Sequence, residues 1–171
     1  MRKLVLVLVA LVAFTIAVEA QAAPKSGQFG MQTAVTFTST SATFSPSGDI
    51  GVKYMVTDAI GIRGALGFAN SSAGTGFDIA AGFEYHLAGK GGVSPYAGAQ
   101  LSYSGSSVSG GGGAPSDFGL SAVFGAEYFF SSNFSWGGEA QLGFRSTSNG
   151  TTSQTTFGTA QALLILTWYL N

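Results

Sequence analysis

The sequence predicts an all-β protein, an eight-stranded antiparallel up-and-down transmembrane β-barrel. Three observations carry this. Apolar residues recur at alternate positions, most plainly from Gly76 to Leu87 (GFDIAAGFEYHL), where Phe77, Ile79, Ala81, Phe83, Tyr85 and Leu87 alternate with small or ionisable residues. Period two is the side-chain period of an extended strand, and this one is long for a soluble protein but suits a tilted membrane crossing. Charged residues make up only 9% of the chain, whereas a water-exposed surface carries roughly 25–35%. Beyond its first residues the chain contains no apolar run long enough for a spanning helix, so a closed sheet is the remaining way to satisfy backbone polar groups in lipid.

The first residues read as a secretory signal peptide. Met1, Arg2 and Lys3 give a basic start, Leu4 to Val18 an apolar run, and Ala20-Gln21-Ala22 a small-x-small cleavage site. The run is shorter than the roughly 20 residues of a spanning helix. Residues 1–22 are assigned to the signal, with cleavage after Ala22 or alternatively after Ala20, and residues 23–171 to one barrel domain. Five basic and seven acidic residues remain once Arg2, Lys3 and Glu19 leave with the leader. That balance gives no basic patch for nucleic acid. The absence of cysteine excludes disulfides and thiolate metal sites.

The strands follow in order. Lys25 to Gln28 is a lead-in. The first strand covers about Phe29 to Phe37, and Thr38 to Ser47, polar and holding Pro46, is a loop. The second covers Asp49 to Val56, with a tight turn at Thr57-Asp58, and the third Ile60 to Ala69. After a loop at Asn70 to Thr75 comes the fourth, Gly76 to Leu87, and a turn at Ala88 to Gly92. The fifth, Val93 to Ser104, carries Pro95 near its start, where proline is tolerated. Gly105 to Ser116, with Gly110 to Gly113, is a flexible loop. The sixth strand is Asp117 to Phe130, followed by a turn at Ser131 to Asn133, and the seventh is Phe134 to Ser146. Thr147 to Gln154 is a loop before the eighth, Thr155 to Leu170. The run Leu163 to Leu166 is apolar on both faces; Leu164, Leu166, Trp168 and Leu170 are assigned outward. Longer Ser/Thr/Gly-rich connections alternate with shorter ones, as outer loops alternate with periplasmic turns in bacterial barrels.

Alternation leaves open which face meets lipid. A soluble calycin-like lipid-binding barrel, apolar inside, is the alternative. Charge content opposes it, and so does the sorting of aromatics into two rings. Phe29, Tyr54, Tyr85, Tyr128, Trp136 and Trp168 lie towards the periplasmic ends of the strands; Phe37, Phe68, Phe77, Tyr103, Phe118 and Phe144 lie towards the outer ends. Two girdles at the membrane interfaces are what a lipid-facing wall requires. The opposite face lines the lumen. There Lys53, Arg63, Glu84, Glu127 and Glu139 are expected to form a charge layer that plugs it, with Asp78 and Arg145 higher up. Buried charges must be paired, and an eight-stranded interior is just wide enough for side chains to fill.

Catalytic and metal chemistry find little support. The single histidine, His86, faces inward near a strand end with no serine adjacent in sequence. Gly110 to Gly113 lacks the Gly-Lys-Ser/Thr of a phosphate loop. No histidine or carboxylate cluster has metal-ligand spacing. No catalytic, cofactor-binding or metal residue is therefore assigned.

The stretches FGMQTAVTF, VKYMVTDAIGIRGALGF, FDIAAGFEYHL, SPYAGAQLSY, FGLSAVFGAEYFF and ALLILTWYL resemble the small outer-membrane barrel family, of the OmpA membrane domain, OmpX and opacity-protein type. Such barrels end on an outward aromatic, a place Leu170 fills here, followed by Asn171. The resemblance implies a non-enzymatic monomer of the bacterial outer membrane, serving membrane integrity or surface interaction. Its implied partners are outer-membrane lipid, lipopolysaccharide and the barrel-assembly machinery. The candidate contact loops are Thr38 to Ser47, Gly105 to Ser116 and Thr147 to Gln154; a narrow porin-like solute channel is the other membrane-bound reading.

Overall fold

The computed structural model describes residues 24–38, 41–46, 50–72, 74–108 and 114–170. The assigned signal peptide lies outside them, as do Asp49 and parts of the first, second and third long loops. Nine strands are present among the described residues: β1 (Phe29–Thr38), β2 (Ser41–Pro46), β3 (Ile50–Met55), β4 (Ile60–Ser71), β5 (Gly74–His86), β6 (Val93–Val108), β7 (Ser116–Phe129), β8 (Phe134–Ser148) and β9 (Ser153–Leu170). Each pairs antiparallel with its neighbours, and β1 pairs with β9 from Phe29↔Leu170 to Phe37↔Ala162. The sheet thereby closes into an eight-stranded antiparallel up-and-down barrel.

Nine strands make eight staves because β2 and β3 lie one after the other along β1. β3 pairs with its lower half (Phe29↔Tyr54 to Gln32↔Gly51) and β2 with its upper half (Val35↔Pro46 to Thr38↔Ser41). The expected loop Thr38 to Ser47 is thus largely strand. From Val35 to Thr38 the edge of β1 turned away from β9 would otherwise carry unpaired N–H and C=O groups, and β2 pairs with it there. Pro46 takes the last position of that strand, where it removes least from the ladder.

Three other expected loops are shortened by the same pairing. β4 and β5 run to Ser71↔Gly74, β5 and β6 to Gly74↔Val108, and β8 and β9 to Ser148↔Ser153. Once one strand continues upward, its neighbour gains a hydrogen bond at each step by continuing too. The Thr-rich segments on either side of Asn149 suit a pleated ladder. At the other end the connections 56–59, 87–92 and 130–133 are short, and the lead-in folds against them. There Ser26 N donates to Asp58 Oδ1 (2.7 Å) and Gly27 N to Met55 O (2.8 Å).

The ambiguous phase of the last strand has a structural cause. β8 pairs Gln141↔Gln161 and then Leu142↔Thr159, so β9 carries one extra residue there. Such a bulge moves every following side chain to the other face. Below it Ile165, Thr167 and Tyr169 are buried while Trp168 and Leu170 are exposed. Above it the outward positions are odd-numbered, and Phe157, 62% exposed, packs on Phe144 with ring centroids 4.8 Å apart.

Tight coiling of the sheet requires glycine where strands approach closely. A Cβ on Gly98 would lie 2.0 Å from the carbonyl oxygen of Phe83, and one on Gly143 2.1 Å from that of Leu120. Both obstacles are backbone and cannot rotate away. Gly64 is different: its Cβ would meet Ala80 O at 3.6 Å, an ordinary contact. Gly98→Val or Gly143→Val is expected to abolish the heat-modifiable folded band on gels run before and after boiling, whereas Gly64→Ala leaves it in place.

Candidate functional site

The site grows from side-chain alternation on five staves. On β3, Lys53 is buried between the exposed Val52 and Tyr54, and it pairs in register with Arg63 on β4. Gly61 of β4 stands opposite Glu84 of β5. Glu127 on β7 and Glu139 on β8 project inward between outward Ala126, Tyr128, Gly138 and Ala140. Closure of the barrel brings these five side chains together across the lumen.

Lys53 Nζ contacts Glu84 Oε2 at 2.6 Å and Glu127 Oε2 at 2.8 Å. Arg63 reaches Glu84 Oε1 (3.1 Å) through Nη1 and grips Glu139 with both terminal nitrogens, Nη2 to Oε1 at 2.9 Å. The planar guanidinium fork suits a bidentate carboxylate in a way a lysine could not. Neutral donors complete the shells of the carboxylates. Tyr96 Oη (2.9 Å) and Gln141 Nε2 (2.7 Å) donate to Glu139, and Tyr169 Oη (2.8 Å) and Ser135 Oγ donate to Glu127. Gln100 Oε1 accepts from Arg63 Nη2 at 2.6 Å. Two cations face three carboxylates in buried surroundings, so these neutral donors offset the surplus negative charge. A void of about 10 Å³ beside Lys53, Glu84 and Glu127 is room for about one water.

Beneath the charges Met55, Phe129 and Tyr169 form a fully buried apolar cluster, with Phe129 and Tyr169 stacked at 5.7 Å. These residues and Tyr96 are not among the lumen residues expected from the sequence. Their parity was the available signal: Met55 and Tyr169 alternate in phase with Lys53 and Thr167.

The other expected site residues are placed as follows. Asp78 lies on the inward parity of β5, opposite Gly67 and Ser104. Arg145 stands at the long-loop mouth, its side chain 56% exposed, with Nε 2.6 Å from Asp117 Oδ2, and does not reach the charge layer. Towards the short-turn end, Phe29, Tyr54, Tyr85 and Trp168 are exposed on the outer wall; Tyr128 and Trp136 are half-buried against Phe130. Towards the other end, Phe68, Phe77, Tyr103, Phe118 and Phe144 are exposed, Phe68 most of all at 71%. The side chain of Phe37 lies outside the described ones.

His86 does have a serine beside it, on the next strand. Its Nδ1 lies 2.8 Å from Ser94 Oγ and its Nε2 3.1 Å from Glu84 Oε2. This has the connectivity of a hydrolase relay, but Ser94 is 5% exposed and Glu84 is already engaged by Lys53 and Arg63. The two contacts orient the imidazole within the layer. Lys53→Met strands Glu84 and Glu127 partly unpaired and is expected to cost about 3–5 kcal/mol. Arg145→Ala removes an exposed pair and is expected to cost less than about 1 kcal/mol. Urea unfolding in detergent micelles, followed by tryptophan fluorescence, separates the two.

A family model described as the outer membrane protein beta-barrel domain matches residues 6–162. Among solved structures, the N-terminal β-barrel domain of Pseudomonas aeruginosa OprF is similar with a TM-score of 0.51 and 16% identity, over 86% of this chain and 100% of that one. OprG, an outer membrane protein of the same organism, is similar with a TM-score of 0.51 and 10% identity, over 91% and 100%. At these identities the two structures speak for the fold alone. The comparison with curated protein sequences found no significant match. The family match covers most of the barrel whose closure and inward charges are described above, and the chain belongs to the outer membrane protein beta-barrel domain family.

Proposed function

We propose that the protein is a non-enzymatic barrel of the bacterial outer membrane, exported through a cleaved leader, that contributes to membrane integrity or surface interaction and whose lumen is plugged. The observation that carries the plug is the buried ion network linking β3, β4, β5, β7 and β8, underlain by Met55, Phe129 and Tyr169. Side chains from five staves meet at one level of an interior just wide enough for side chains to fill, and this supports the plug. Outer-membrane lipid and lipopolysaccharide are the partners of the apolar wall, and the barrel-assembly machinery inserts it as a monomer. The short connections face the periplasm and the long ones the exterior. The exterior end is almost free of positive charge: of the described cations only Arg145 lies there, already paired with Asp117. Contact with lipopolysaccharide therefore rests on its acyl chains rather than its phosphates.

Planar-bilayer recording tests the plug. The unaltered protein is expected to show no large, steady conductance. Arg63→Ser, which removes the side chain joining Glu84 to Glu139, is expected to give intermittent openings, provided the gel shift shows that the variant still folds. Large, steady pores in the unaltered protein would instead establish a narrow solute channel.

A further inference from the structure

The hairpin joining β8 to β9 turns at Asn149-Gly150-Thr151-Thr152, between the last rung Ser148↔Ser153 and the long-loop mouth. This is the sole Asn-Gly pair in the sequence. The turn requires its glycine, since Gly150 has φ 84°, in the left-handed region that other residues rarely adopt. Asn149 and Gly150 are both exposed.

The hydrogen bonds around this pair are unusual in where they converge. Asn149 Oδ1 accepts from Thr151 N (3.0 Å), Thr152 N (2.8 Å) and Thr152 Oγ1 (3.3 Å). Gly150 N donates to Ser148 Oγ at 3.2 Å. Three donors on one amide oxygen polarise Cγ towards attack and would stabilise the oxyanion that attack creates. An acceptor on the Gly150 N–H draws density onto the nitrogen beside it. No side chain on Gly150 shields that nitrogen.

We propose that Asn149 is a site of spontaneous deamidation, with the folded turn supporting the cyclisation step. Gly150 N, losing its proton to solvent, forms a bond to Asn149 Cγ. The tetrahedral intermediate takes a proton from solvent on Nδ2 and collapses with cleavage of the Cγ–Nδ2 bond, ammonia leaves, and a succinimide remains. Water opens the ring at either carbonyl, giving aspartate or isoaspartate. The step involves no redox change, and water is its one co-reactant. Aspartate keeps the acceptor that holds Thr151 and Thr152, so the hairpin survives with a new negative charge at its tip. Isoaspartate inserts an extra backbone carbon and breaks the Ser148↔Ser153 register.

Asn70 and Asn133 are internal comparisons. Asn70 precedes Ser71 within the β4–β5 ladder, and Asn133 precedes Phe134 with its Nδ2 donating to Tyr169 O at 3.1 Å. The experiment ages the folded protein in detergent micelles at neutral and mildly alkaline pH and locates amide loss by peptide mass spectrometry. Asn149 is expected to convert at least about tenfold faster than Asn70 and Asn133, a barrier difference of about 1.4 kcal/mol or more, and no slower than in a free peptide of residues 146–155. Ser148→Ala and Thr152→Val are expected to slow conversion in the folded protein but not in the urea-unfolded chain. Asn149→Asp is expected to retain the heat-modifiable band. An Asn149 that persists in the folded protein while the peptide reacts would show that the turn protects it, and the proposal fails. It fails equally if the two variants change nothing in the folded state.

Discussion

The β1–β9 ladder is the constraint on which the rest of the molecule depends. A bilayer interior offers no water to backbone N–H and C=O groups, so an open sheet edge there would leave a row of them unpaired. Pairing Phe29 with Leu170 and continuing to Phe37 with Ala162 removes both edges. Closure also determines what the two faces of the sheet are for. The convex face meets hydrocarbon and carries Leu66, Phe68, Phe77 and Phe124. The concave face is sealed from lipid and can hold Lys53, Glu84, Glu127 and Glu139 almost fully buried.

Burying that much charge is tolerable because every carboxylate is paired, although Arg63 Nε is buried without a hydrogen-bond partner. Glu84 takes Lys53, Arg63 and His86; Glu127 takes Lys53, Ser135 and Tyr169; Glu139 takes Arg63, Tyr96 and Gln141. Such a network is weak evidence for net stability, since desolvation opposes the Coulombic gain. Its consequence is geometric. Long side chains from opposite staves meet at one level of the lower lumen. Higher up, the inward positions are small, with Ala80, Gly82, Ser102, Gly119, Ser121 and Gly143 among them, and coiling of the sheet there is limited by backbone rather than side-chain volume.

The outer wall shows the same division. Rings cluster where β7, β8 and β9 meet the short-turn end: Phe130 contacts Tyr128, Phe134 and Trp136, and Phe134 contacts Trp168. The bulge on β9 places Phe157 outward beside Phe144 at the other end. Without that extra residue the upper half of β9 would point Phe157 into the lumen and Thr156 or Gly158 at lipid. One unpaired residue thus reconciles two stretches whose alternations are out of step.

The amino-acid sequence by itself determined the architecture and the sidedness. Alternation over successive strands, scarcity of charge, and the placement of every strand-borne cation opposite the aromatic positions follow from one-dimensional order, because side chains in a strand alternate whatever the strand pairs with. Lys53, Arg63, Glu84, Glu127 and Glu139 were legible as inward for that reason. Which of them touch was decided only by the closed sheet, since register, tilt and curvature set the distance between side chains on staves far apart in sequence. Tertiary structure likewise placed Ser94 beside His86, packed Met55, Phe129 and Tyr169 together, paired Arg145 with Asp117, and converted most of Thr38 to Ser47 into strand. Each of these rests on a neighbour supplied by another strand, and local pattern carries no information about that neighbour.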